Sequence, residues 1–130
     1  MTRIKPVLVE PDAVTATTTF AAINMENATK ATFHFTRADH AAGSSKFELL
    51  GSADGTTFTA ATMIQTIAAD AGAGTAGEDI GYTRALSTTL AGDGTEIWAL
   101  DLRHFNFAEV AVKVTETTDG THSYAALIEY

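Results

Sequence analysis

The residues best suited to acid–base or metal chemistry are four histidines, and their spacing does not bring them together. They are His34, His40, His104 and His122. No two stand two or four positions apart, the spacings that place two imidazoles on one face of a strand or helix around a metal ion. His34 alternates with Phe33 and Phe35, so we expect it on the polar face of a strand. The sequence predicts no metal site.

Nucleophilic catalysis has no better basis in the sequence. Asp101 and His104 are close together, and Ser87 or Ser123 could be imagined as a nucleophile beside them. A serine hydrolase of the elbow type carries Gly-x-Ser-x-Gly between a strand and a helix, and this motif is absent. Cysteine is absent too, which excludes thiol catalysis and disulfides. We predict no catalytic residues and no enzymatic activity.

Carboxylates and glycines do not predict a cofactor. Residues 52–56 contain one carboxylate, Asp54, whereas an EF-hand calcium loop needs several at alternating positions. Residues 71–77 are rich in glycine but lack the Gly-Lys-Ser/Thr ending of a phosphate-binding loop. A sugar site needs exposed aromatic rings, and Trp98 lies within an apolar segment where core packing is expected.

Charge and hydropathy exclude two classes of partner. Sixteen acidic and eight basic residues give a formal net charge of -8, which opposes binding to phosphate backbones. No apolar run approaches the roughly 20 residues of a membrane helix, and residues 1–6 are not followed by a signal-peptide core. We therefore expect no nucleic acid, no membrane, and synthesis in a cytoplasm.

The elements that remain are strands. Threonine is abundant and β-branched, and residues 30–37 alternate apolar and polar as a half-buried strand does. Pro6 and Pro11 bracket residues 7–9, which predicts a short strand at a sheet edge, because proline cannot donate to a ladder.

Three Asp-Gly-Thr sequences begin at Asp54, Asp93 and Asp119, each between β-type segments. Asp-Gly favours a two-residue type I′ turn, so we predict three hairpins. The predicted cross-strand pairs are Phe47–Thr62, Leu49–Ala60 and Gly51–Phe58, then Leu90–Ile97, then Val112–Leu127 and Val114–Ala125.

Together these patterns predict an all-β fold: an antiparallel β-sandwich, immunoglobulin-like or jelly-roll, with about eight or nine strands. The expected organisation is a single domain over residues 13–130, an extended N-terminal arm over residues 1–12, and a mobile Gly/Ala-rich loop over residues 68–79.

One stretch carries a resemblance to a known family. Residues 47–58 read Phe-Glu-Leu-Leu-Gly-Ser-Ala-Asp-Gly-Thr-Thr-Phe, and a strand-like segment at 107–115 and a terminal Tyr-Ala-Ala-Leu-Ile follow. This pattern resembles small β-sandwich proteins of tailed-phage virions, in which a strand, Gly-Ser-x-Asp-Gly-Thr-x-Phe and a second strand recur. Ala53 stands where asparagine is frequent, and Phe58 where tryptophan is frequent.

The resemblance implies a capsid decoration (cement) protein on the outside of the head, bound to the major capsid protein and to itself, as a closed trimer. The alternatives are a tail-associated carbohydrate- or receptor-binding module and a tail-tube or baseplate component.

Partner contacts are predicted in the arm and the loop, at Arg3, Ile4, Lys5 and Val7 and at Ala73, Thr75 and Glu78. The arm could add a strand to a neighbour's sheet. The alternative is a frayed or self-paired terminus.

Overall fold

The computed structural model describes residues 4–13, 17–39, 42–68, 80–103 and 105–130. These ranges form twelve β-strands and no helix, so they contain no helical segment able to cross a membrane. The strands are β1 (Ile4–Ala13), β2 (Thr17–Thr19), β3 (Ile23–Asn24), β4 (Lys30–Ala38), β5 (Ser45–Ser52), β6 (Thr59–Ala60), β7 (Met63–Ala68), β8 (Ile80–Ala85), β9 (Thr88–Leu90), β10 (Gly94–Leu100), β11 (Glu109–Glu116) and β12 (Thr121–Glu129).

The strands form two antiparallel sheets, which confirms the predicted all-β sandwich. The large sheet has the order β1-β12-β4-β10-β7-β8. The small sheet has the order β2-β11-β5-β6, with β3 also paired to β11 and β9 also paired to β5. The described strands outnumber the predicted eight or nine because several, such as β3 and β6, have only two residues.

Alternation along the strands builds the core between the sheets. In β4, Ala31, Phe33 and Phe35 are buried while His34 is exposed, as predicted. The Phe35 ring stacks on Phe47 of the small sheet with centroids 5.0 Å apart. Trp98 is 5% exposed, so the expectation that it packs in the core is confirmed. Leu49, Met63, Leu100, Val110, Val112, Val114, Tyr124 and Ile128 complete most of this cluster.

Strand β1 lies at an edge of the large sheet, as its prolines predicted, but it is not short. It pairs with β12 from Ile4 to Ala13, and one extra residue between Val9 and Asp12 displaces the register. This bulge accommodates Pro11, which has no N–H to donate to the ladder. The proline therefore bends the strand without ending it.

The hairpin at Asp54-Gly55 exists, but its predicted register is wrong by one residue. Leu50 pairs with Ala60 and Gly51 with Thr59, and the loop spans residues 53–58. The loop is longer than two residues because the Asp54 carboxylate accepts the backbone N–H groups of Thr56 and Thr57, each at 2.8 Å.

An aromatic ring covers Gly51, but it is not the ring of Phe58, the predicted cross-strand partner. A Cβ at Gly51 would lie 2.2 Å from Cε1 of Phe107, so Phe107 and not Phe58 occupies that space. The glycine allows the connection before β11 to pack directly on the small sheet.

The other two Asp-Gly turns do not form hairpins. Strand β9 lies in the small sheet and β10 in the large one, and β11 and β12 are divided in the same way. The predicted pairs of these hairpins are therefore wrong: Ile97 faces His34, and Leu127 faces Thr32. Neither Gly94 nor Gly120 has a positive φ, which a type I′ turn requires.

Candidate functional site

Four polar side chains from four strands meet inside one end of the sandwich. In the large sheet, Arg37 is the last residue of β4 that points into the core, and His122 is the first such residue of β12. In the small sheet, Ser45 begins β5 and Glu116 ends β11. None is more than 5% exposed. We call these residues the buried polar network.

Hydrogen bonds join the members of the network directly. Arg37 donates to the Glu116 carboxylate in a fully buried ion pair. The Ser45 hydroxyl donates to Glu116 Oε2 at 2.7 Å and lies 2.7 Å from His122 Nε2. Because the serine proton is directed to the carboxylate, Nε2 of His122 carries a hydrogen and donates it to Ser45 Oγ.

The Arg37 guanidinium also binds backbone carbonyls from three connections. It donates to carbonyl oxygens of Ala42 at 2.9 Å, Gly43 at 3.1 Å, Leu90 at 3.3 Å and Asp119 at 3.2 Å. Each connection lies where the chain passes from one sheet to the other. One side chain therefore fixes three crossovers at this end.

The combination of Ser45, His122 and Glu116 does not make a hydrolytic triad. In a triad the imidazole lies between the nucleophile and the acid. In this protein the serine lies between the imidazole and the carboxylate, and all three groups are buried beneath the crossovers. The network therefore has a structural role, and sequence analysis did not identify it.

A sequence signal for the network did exist. Arg37 continues the row of Phe33 and Phe35, and Glu116 continues the row of Val112 and Val114. Opposite charges at the ends of two otherwise apolar rows indicate a buried pair.

The opposite end of the sandwich holds an open cleft of about 500 Å³, lined by Asn24, Glu26, Asp54, Glu109 and neighbouring residues. The backbone N–H groups of Thr57 and Thr56, and the Ser52 hydroxyl, hold the pKa of Asp54 below its ordinary value of 3.8. Its carboxylate is thus already engaged in the turn. Within the described ranges, no three His, Asp or Glu side chains are arranged to hold a metal ion.

The outward side of the large sheet carries few charges. We call it the outer face. Its described side chains are Lys30, Thr32, His34, Thr36, Ala38, Ile64, Tyr82, Arg84, Thr95, Ile97, Ala99, Thr121, Ser123, Ala125, Leu127 and Glu129. Ile97 is 51% exposed, Leu127 44% and Tyr82 71%.

Charges at the margins of the outer face are paired. Lys30 Nζ lies 3.9 Å from Glu129, and Arg84 Nε lies 3.5 Å from Asp101. Within the described set that forms the face, Glu129 is the only acidic side chain, and it is paired with Lys30. A chain with a formal charge of -8 thus presents one broad surface on which a partner meets little charge.

The predicted contact residues are not brought together in the described structure. Ile4, Lys5 and Val7 lie in β1, paired with Glu129, Ile128 and Ala126 of the same chain. Strand β1 is therefore already paired along one side within its own chain. Arg3, Ala73, Thr75 and Glu78 lie outside the described residues, as do His40 and His104. Ala68, expected to begin the loop, pairs with Ile80 as the last residue of β7.

Fold and site together define an antiparallel β-sandwich with a buried polar network inside and a weakly charged face outside. No protein family and no curated protein matches the sequence. The fold is similar to that in the crystal structure of the SPBc2 prophage-derived protein YomS, with a TM-score of 0.67 and 12% sequence identity. The alignment covers 100% of this chain and 96% of that one, so the likeness extends over the whole sandwich.

Proposed function

We propose that this protein is a structural component of a phage particle, a decoration (cement) protein that binds the outside of the head through the major capsid protein. The observation that carries the proposal is the likeness to a prophage-derived protein over 100% of this chain. The Gly-Ser-Ala-Asp-Gly-Thr-Thr-Phe turn, at residues 51–58, supports it independently.

The outer face is the surface proposed to meet the capsid. It combines exposed Ile97 and Leu127 with threonines, and its described acidic side chain, Glu129, lies at the margin beside Lys30. Apolar area surrounded by neutral polar groups is typical of protein interfaces. The arm and loop residues predicted from the sequence remain additional proposed contacts.

Stabilisation of the head would follow from linkage. A protein that binds the assembled shell more tightly than its separated subunits stabilises the shell by the difference in binding free energy. Binding, with no catalysis and no cofactor, is sufficient for this role. Many copies on one shell add their effects, because each copy that bridges subunits opposes their separation.

The test uses shells of the phage whose genome encodes the chain. The protein should co-sediment with the shells and raise the temperature at which they rupture. Ile97→Lys places a charge at the centre of the outer face and should weaken binding by at least about fivefold, since loss of a residue at the centre of an interface typically costs about 1 kcal/mol or more. Thr59→Lys adds the same charge to an exposed site on the small sheet and is the matched control.

The outcome that contradicts the proposal is equally concrete. A folded wild-type protein that does not sediment with shells overturns it. Equal losses in Ile97→Lys and Thr59→Lys would instead exclude the outer face as the docking surface while leaving the decoration role in place.

A tail-associated carbohydrate- or receptor-binding module is the second candidate, and exposed Tyr82 is the observation that favours it. Trp98 is buried and unavailable as a sugar platform. Glycan binding that disappears in Tyr82→Ala, together with no binding to shells, would support this candidate. Self-polymerisation into tubes without shells would support a tail component.

A further inference from the structure

The two edges of the large sheet differ in how well they are protected against another strand. At one edge, β1 contains Pro6, Pro11 and a bulge. Proline and bulges are the devices by which sheet edges avoid pairing with other chains. At the other edge, β8 has neither proline nor a bulge, and it pairs with β7 in unbroken register from Ile80 to Ala85. Among the described residues, no strand pairs with its outward side.

Two side chains of β8 are also largely exposed to solvent. Tyr82 is 71% exposed, and the Arg84 side chain is 55% exposed. Both lie on the outer face, because Arg84 pairs with Ile64 and cross-strand partners share a face. Thr83 between them points to the other side of the sheet.

We propose that two copies of this chain pair edge to edge through β8, antiparallel about a two-fold axis, to give one continuous twelve-stranded sheet. Each large sheet contributes six strands. A two-fold axis is the symmetry generated when a strand pairs antiparallel with its own copy. The proposal does not depend on capsid binding.

The sequence of β8 selects one register for this pairing. Residues directly opposite each other in a sheet point to the same face, whereas neighbours along one strand point to opposite faces. The two-fold axis must therefore set one residue of β8 opposite its own copy, because an axis between two residues would pair side chains from opposite faces. An axis at Thr83 sets Tyr82 opposite Arg84 of the partner subunit, twice, and Thr83 opposite its own copy. Arginine against an aromatic ring and threonine against threonine are both favourable cross-strand pairs.

The neighbouring registers are worse. An axis at Arg84 would set two guanidinium groups face to face, and like charges directly opposite destabilise a sheet. An axis at Tyr82 would set Arg84 opposite Ile80 and leave the arginine without a ring. In the favoured register each Arg84 can also keep its own Asp101, which lies 3.5 Å away.

The test compares two substitutions at one position by sedimentation equilibrium of the full chain. Wild type should have twice the mass of the single chain. Tyr82→Lys sets a lysine opposite Arg84 of the partner subunit and should halve the mass. Tyr82→Glu removes the same ring but sets a carboxylate opposite that arginine, so it should remain dimeric. Circular dichroism checks that both variants are folded.

Each other result overturns some part of the proposal. A monomeric wild type, or a trimer that Tyr82→Lys leaves intact, overturns the β8 dimer. Dissociation of both variants contradicts the register through Thr83, because only an axis at Tyr82 sets each substituted residue opposite its own copy. Dissociation by Ile97→Lys but not by Tyr82→Lys would place the contact on the outer face and not at the edge.

Discussion

Removal of the Arg37 guanidinium is the perturbation whose effect the structure defines best. In Arg37→Met the side chain keeps most of its apolar length, while Glu116 stays as a carboxylate with no cation beside it. Both side chains of the pair are fully buried. Four backbone carbonyls that accept hydrogen bonds from Arg37 also lose their donor.

The expected loss of stability is large for a single substitution. Removing one partner from a buried ion pair costs about 3–5 kcal/mol. With an unfolding entropy of about 2.1 cal/mol/K per residue, 130 residues give about 0.27 kcal/mol/K. The melting temperature should therefore fall by about 11–18 °C.

The assay is thermal and urea unfolding followed by circular dichroism at neutral pH. Lys46→Met is the matched control, because Lys46 forms an exposed ion pair with Glu48 at 3.4 Å and its loss should change the free energy of unfolding by less than about 1 kcal/mol. The double variant Arg37→Met/Glu116→Leu removes both charges. It should cost less than the sum of the single losses, with a coupling of about 2 kcal/mol, as is usual for residues in one network.

Two results would refute this reasoning. If Arg37→Met were no more destabilising than Lys46→Met, the guanidinium would not be the group that holds this end closed. If the losses in the double variant simply added, the ion pair would carry no energetic coupling.

Three further predictions concern turns and close contacts. Gly51→Ala should lose about 1–3 kcal/mol of unfolding free energy, because a Cβ 2.2 Å from Phe107 displaces a packed ring, and Phe107→Leu should relieve part of that loss in urea titrations. Gly55→Ala should lower the free energy of unfolding by about 1 kcal/mol, because φ is +77° at this position. Gly94→Ala should be neutral or stabilising, because a Cβ there would meet nothing within 4 Å. Equal effects of the two substitutions would contradict the turn assignment. Because the pKa of Asp54 is lowered in the folded state, its carboxylate stabilises the fold at neutral pH, and that contribution disappears as pH falls through 3.8 and below. Asp54→Asn should therefore reduce the dependence of the urea midpoint on pH in that range. An unchanged dependence would count against the turn's hydrogen bonds.

Sequence periodicity predicted the parts of the fold that depend on one strand at a time. The alternation around Phe33 and Phe35 correctly predicted which side of β4 is buried. The prolines of β1 correctly predicted that this strand lies at a sheet edge. Both inferences use only the two-residue repeat of a strand or the missing N–H of proline.

Strand partners were harder to predict because one dipeptide serves two kinds of connection. Asp54-Gly55 joins strands of one sheet, while Asp93-Gly94 and Asp119-Gly120 lead from one sheet to the other. What separates them is the set of groups around each turn, including the Arg37 side chain that binds carbonyls at Leu90 and Asp119. Those groups come from distant parts of the chain.

The candidate site was missed for a related reason. Sequence analysis placed the partner contacts in the N-terminal arm and the Gly/Ala-rich loop, whereas the outer face is an arrangement of ordinary threonines, alanines and a few apolar residues. Ile97 was predicted to pair with Leu90, but its exposure depends on β4 and β7 lying beside β10.

The position of β12 has a consequence for how the protein is made. This strand lies between β1 and β4, so residues 121–129 separate segments that leave the ribosome about a hundred residues earlier. During translation the earlier strands have no permanent neighbours on that side of the sheet, and the backbone edges that pair with β12 stay open until it emerges. Shortened chains that lack these residues should therefore be rapidly degraded or aggregate in the cell, whereas shortening from the other end removes only an edge strand.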